Sequence, residues 1–161
     1  MDSSAIFDAC RINDRQQVER IFEIYPEAIH ATDFKGFTPL ILAAYNNSAD
    51  VVDFLLEKGV ETDKEDAAGN TALMGVCFKG YKEIAKKLID AGADVTVRNV
   101  NGATALTFAA TFGHLEMAEM LLQKGAGTDV PDVRGKTPLD HARIQENWPM
   151  YDLIAEYSAR K

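Results

Sequence analysis

The sequence predicts an all-α repeat solenoid, and three observations carry that prediction. A 33-residue unit recurs from Asp33, Asp66, Asn99 and Asp132. Each copy opens on a similar octapeptide, DFKGFTPL, DAAGNTAL, NVNGATAL or DVRGKTPL. Helical patterns separated by a polar break then follow. Units of this size cannot bury their apolar faces alone, so a fixed period implies stacking into one elongated core. Such an architecture tilts function toward binding. Residues 1–161 are expected to form one domain: a helical capping unit over 1–32, full units over 33–65, 66–98 and 99–131, and a C-terminal cap over 132–161.

The elements follow in order. In the first cap, AIFDACRI reads as one helix with Ser3 or Ser4 as its cap, and DRQQVERIFEIY as a second capped by Asp14. Pro26 stands where later units place a glycine stop. In each full unit, Gly36, Gly69 or Gly102 marks a polar turn, as Gly135 does in the last unit, where a residue without Cβ takes positive φ at little cost. Thr38, Thr71, Thr104 and Thr137 come next, followed by Pro39 and Pro138 in two of the four, as a hydroxyl cap followed by a residue preset for the first helical turn. Leucine and small residues fill the short helices (LILAAY, LTFAAT), so neighbours can approach closely. After a break at Asn47, Gly80 or Gly113, the segments DVVDFLLEKG, KEIAKKLIDAG and LEMAEMLLQKG space aliphatics by three and four and stop on glycine. Glu83 and Lys87 are expected to pair on a solvated face. In the last unit TPLDHARI reads as a first helix, and Asn147 as the cap of a shorter second one in which Trp148 seals the core.

Composition bounds the function. A hydrophobic fraction of 47% with 26% charged residues is that of a soluble globular chain and argues against disorder. The net charge of -8 disfavours non-specific attraction to nucleic acid or anionic lipid. No apolar run approaches a membrane span, and the acidic first residues are expected to be neither a secretory signal nor an anchor. Cys10 and Cys77 lie far apart at helix positions, which suits a reducing compartment, so a cytoplasmic location is expected. Catalysis lacks its residues. His30, His114 and His141 have no metal-ligand spacing, neither cysteine sits in a CxxC, and Asp140 and His141 are helix neighbours that point about 100° apart. The turn glycines are a full unit apart and cannot cradle one phosphate. No enzyme activity, cofactor or metal is expected.

The pattern G-x-T-P/A-L, a small-residue pair, a break, an aliphatic helix and G-A/V resembles the ankyrin repeat family, from Asp33 to about Tyr157. Where that family has T-P-L-H, this chain has Ile41, Met74, Thr107 and Asp140, which implies a more apolar packing at that layer. The resemblance implies β-hairpin-like turns, and a concave surface of turn tips and first-helix ends on which partner proteins bind. On this chain those positions give Phe34, Lys35, Phe37, Tyr45, Phe78, Lys79, Arg98, Phe112, Arg134 and Lys136. Five aromatics thus fall where exposure is expected, and clustered exposed apolar residues mark interaction sites. Around them six bases, Arg11 included, face one acid, Glu65, although Asp33, Asp66 and Asp132 lie close by. An aromatic stripe edged with cations suits an acidic partner segment with apolar anchors. The expected function is therefore a monomeric, non-catalytic protein-protein interaction module, a small adaptor or regulator. The alternatives are a self-associating structural subunit and an enzyme with a site in the groove, and a different packing would bury Phe78 and Phe112 between repeats.

Overall fold

The structure, a computed structural model, describes residues 4–160. Among them are ten α-helices and a short 3-10 segment at Pro26–His30, with no β-strand. The helices are α1 (Ser4–Arg11), α2 (Arg15–Ile24), α3 (Pro39–Tyr45), α4 (Ala49–Glu57), α5 (Ala72–Lys79), α6 (Lys82–Asp90), α7 (Ala105–Phe112), α8 (Leu115–Gln123), α9 (Pro138–Ile144) and α10 (Trp148–Ala159). Odd-numbered helices stack on odd, even on even, and each odd helix packs on the even helix that follows it. The expected Ser3 cap lies outside the described residues, whereas Ser4 is the first helical residue.

Local chemistry explains these boundaries. The hydroxyls of Thr38, Thr71, Thr104 and Thr137 each accept the amide three residues on, at 3.1–3.3 Å, and so satisfy one orphan donor of the first turn. Asp14 and Asn147 do the same for α2 and α10. The opening residue of each unit organises the turn itself, because Oδ1 of Asp33, Asp66, Asn99 and Asp132 accepts two amides of its own turn, at 2.8–3.0 Å. Successive turns are then tied by one backbone bond each, Ala67 N to Lys35 O, Val100 N to Ala68 O and Val133 N to Asn101 O. A single bond per junction makes a stack of hairpin-like turns without a ladder.

The layer in which the family histidine is replaced divides in two. Ile41 and Met74 are buried apolar residues, as expected. Thr107 and Asp140 instead turn back to accept the amides of Thr104 and Thr137, closing capping boxes at 3.0 Å.

The core runs continuously from Ile6 to Ile154, through fully buried Leu55, Leu73, Leu88, Leu106 and Leu121. Cys10 and Cys77 are free thiols within it, and burial pushes Cys10 up to about 12 and Cys77 higher still, so both act as small apolar residues. Two expectations require correction. Trp148 does not seal the core: it is 51% exposed and meets the edge of Tyr151, while Met150 and Ile154, one turn apart on α10, close the end. At twelve residues α10 is also the longest helix described, not a shortened one. Glu83 and Lys87 do not pair, because half-buried Lys87 faces the neighbouring helix and reaches Asp53 at 2.7 Å. With Arg15 to Glu57 and Lys82 to Glu116, it makes a chain of ion pairs across successive even helices.

The last unit carries an acid-sensitive pair of carboxyls. Burial pushes Asp132 up, but His141 at 2.8 Å and the amides of Lys136 and Arg134 hold it below the ordinary carboxylate value. The Thr137 amide, against opposing burial, does the same for Asp140. Groups lowered in this way contribute stability above their unfolded value, about 3.9 for Asp, and lose it as pH falls through the folded value. A double Asp132→Asn, Asp140→Asn variant should therefore have a lower urea midpoint than wild type near neutral pH. The gap should narrow as pH falls below the ordinary carboxylate value and through the lowered folded ones. An unchanged gap in acid would contradict the assignment.

Candidate functional site

The first helices show where the repeat stops repeating. Nine residues after each opening Asp or Asn stand Leu42, Gly75, Phe108 and His141; twelve residues after stand Tyr45, Phe78, Thr111 and Ile144. Gly75 is helical and not left-handed, so the turn geometry does not ask for glycine there. Without a side chain between Leu42 and Phe108, the face of α5 is indented.

That indentation is a cleft of about 370 Å³, in the lower range of ligand pockets. Met74, Gly75 and Phe78 line it from α5, Ile41 and Tyr45 from α3, Phe37 from the turn before, and Phe108 from α7. Asp66 and Asn70 add a polar edge. The rings are organised around Phe78. Tyr45 lies parallel to it at 6.3 Å, Phe112 meets it edge-on at 4.8 Å, and Phe108 edge-on at 6.4 Å. These are favourable aromatic geometries, each worth about 0.5–1.5 kcal/mol. His114 braces the same residue from the next unit, with Nε2 3.2 Å from the Phe78 carbonyl oxygen.

The structure therefore gathers four of the five expected aromatics, Phe37, Tyr45, Phe78 and Phe112, on one face. Phe78 is 39% and Phe112 48% exposed, so each ring is both a packed neighbour and an accessible surface. Phe37 departs from the expected exposure, being half-buried against the core as the wall of the cleft. Phe34 departs in the other direction: it is 92% exposed at the turn tip, with Lys35 over its ring at 5.6 Å, and takes no part in the ring cluster.

The cations divide by face. On the even helices, Arg15, Lys82, Lys86 and Lys87 hold carboxylates, whereas Arg20 donates to Gln17 and Lys58, at the end of α4, lies over the Phe22 and Phe54 rings. On the face of turns and odd helices, none of Lys35, Lys79, Arg98, Arg134 and Lys136 forms an ion pair with a described residue. Lys79 lies over the Tyr45 ring at 4.8 Å. Arg98 has a positioning role, since its guanidinium donates to the carbonyls of Pro131 and Gly102 and so clamps neighbouring turns. Arg11 and Arg143, by contrast, pair with Asp8 and Asp140 on their own odd helices, at 2.9 and 3.1 Å.

Sequence reasoning did not place Met74, Gly75 or Phe108, which line the cleft, among the candidate binding residues. Phe108 is hidden in a run read as helix body, and a glycine offers no side chain to notice. The signal was nevertheless present in the column Leu42, Gly75, Phe108, His141, which varies in size at every step.

A family model described as ankyrin repeats in three copies matches residues 6–99 and again 76–161. Repeats of this kind are in general protein-protein interaction modules and typically non-catalytic. Among the described residues no helix is long and apolar enough to cross a membrane. The repeated turn, threonine cap and helix pair account for that match over most of the sequence, and the chain belongs to the ankyrin repeat family.

Proposed function

We infer that the protein is a small adaptor or regulator that binds an acidic segment of another protein along the concave face of its turns and odd-numbered helices. The observation that carries this reading is the contrast between faces. The even helices neutralise most of their cations internally, whereas the aromatic face leaves five without a carboxylate partner among the described residues. Exposed aromatic rings supply apolar contact area with little rotamer entropy to lose, and unpaired cations beside them attract an acidic chain and speed its encounter. The residues assigned to binding are Phe34, Lys35, Phe37, Tyr45, Phe78, Lys79, Phe112, Arg134 and Lys136, with Arg98 holding the turns that present them.

Charge reversal tests this reading without disturbing the scaffold. Arg98 is left intact because it clamps turns, and Lys35, Lys79 and Lys136 are changed together to Glu. Affinity for the partner is expected to fall at least roughly tenfold, chiefly through slower association, and wild-type binding should weaken as salt rises. Recovery of the same partner at equal affinity would contradict the charged face. In sedimentation at high protein concentration the free chain is expected at monomer mass; a dimer lost on changing Phe78 would instead favour self-association through the stripe.

A further inference from the structure

We propose that the cleft over Gly75 is an anchor pocket that receives one large apolar side chain, aromatic or leucine, from the acidic segment. This rests on the reading of the aromatic face as the site for such a segment, and adds where the segment is held and what residue it must carry.

Gly75 is the starting point because its backbone conformation does not require glycine. A glycine inside a helix costs about 1 kcal/mol relative to alanine, with no positive φ here to justify it. A Cβ at this position would meet only Tyr45 Cδ2, at 3.2 Å, so a side chain here requires that ring to give by a few tenths of an ångström. The same register holds Leu42 and Phe108 in adjacent units, so a large side chain fits the stack. Local choices that contradict local propensity without a structural gain concentrate at functional sites. What the glycine leaves is the cleft of about 370 Å³, with room for one large side chain and the backbone that carries it.

The surroundings specify the occupant. Met74 lines the cleft as an adaptable apolar residue, and the parallel Tyr45 and Phe78 rings border it. Lys79, with no carboxylate partner among the described residues, sits on the outer ring and awaits an acid beside the anchor. At the polar edge, Asn70 spends its Oδ1 on Asn99 Nδ2 at 2.9 Å, and its own amide N–H groups remain to donate to a backbone carbonyl of the bound segment. Asp66, on the same edge, already accepts two amides of its turn with Oδ1, which partly offsets its charge. The unpaired cations extend from Lys35 in the first full unit to Lys136 in the last, beyond a small molecule's reach, so the occupant is an extended chain.

The test uses synthetic, fluorescein-labelled peptides with the whole protein, read by anisotropy. The peptides are an acidic nonamer with a central Trp, the same peptide with a central Ala, and a basic nonamer with a central Trp. The acidic Trp peptide is expected to bind at least roughly tenfold more tightly than either control. Gly75→Leu should remove that preference, weakening the Trp peptide about tenfold while leaving the Ala peptide unchanged. Gly75→Ala, which adds one methyl group, should give a smaller loss in the same direction, and serves if the leucine variant fails to fold. If both acidic peptides bind alike and Gly75→Leu changes neither, the anchor pocket is wrong and the charged face stands. If the basic peptide binds as well as the acidic ones, or none binds, the pocket and the reading beneath it both fall.

Discussion

Gly36→Ala is expected to lower stability by about 2–3 kcal/mol, against about 1 kcal/mol for Gly59→Ala. Both glycines have positive φ, +78° and +73°, so both substitutions incur the left-handed penalty that an L side chain carries. Their surroundings separate them. A Cβ on Gly59 would meet nothing within 4 Å, whereas one on Gly36 would lie 2.9 Å from the Ala67 amide nitrogen. That nitrogen donates to the Lys35 carbonyl in the bond that ties the first turn to the second. Relieving the clash moves backbone, lengthens that bond and loosens a junction on which both neighbouring units depend. Urea denaturation of the two variants in parallel checks this. Equal losses would show that the turns are not held at contact distance.

Phe78→Ala is expected to weaken partner binding by roughly 30-fold, about 2 kcal/mol, while costing about 1–2 kcal/mol of stability. The ring is the hub of the aromatic cluster: it touches Tyr45, Phe108 and Phe112 and forms one side of the cleft. Truncation merges the cleft with solvent and leaves Tyr45 without its parallel neighbour. The stability loss stays modest because the side chain is 39% exposed, while fully buried Val76 and Cys77, which precede it on α5, carry the core of that helix. Affinity measured at a temperature well below the unfolding midpoint separates the two effects. Loss of folding with unchanged affinity per folded molecule would make the stripe core packing instead of a binding surface.

The architecture was legible because it is written redundantly. Each threonine cap, turn glycine and opening Asp or Asn recurs at the same step, and each acts on its own backbone within four residues. Features that depend on distant residues were read less well. The destination of Lys87 is Asp53, thirty-four residues away, and nothing local distinguishes it from Glu83. Trp148 looked like a seal by size, yet the register of α10 gives that role to Met150 and Ile154. The site was half legible for the same reason. Tyr45, Phe78 and Phe112 stood out as residues that break the repeat, but the cleft depends on an absent side chain at Gly75 and on Phe108 from the next unit. Phe37 was placed at an exposed tip by register alone, and its packing against the core makes it a wall of the cleft instead.

An acidic segment lying on the face of turns and odd-numbered helices would leave a residue-by-residue imprint. It can be read by comparing backbone amide signals of the ¹⁵N-labelled chain, free and saturated with the acidic Trp peptide. The expected changes centre on Gly75 to Lys79, the Asn70 turn and Phe112, and fade across α4, α6 and α8. Changes concentrated on those even helices, with the Gly75 to Lys79 signals unmoved, would place the segment on the opposite face and overturn the assignment.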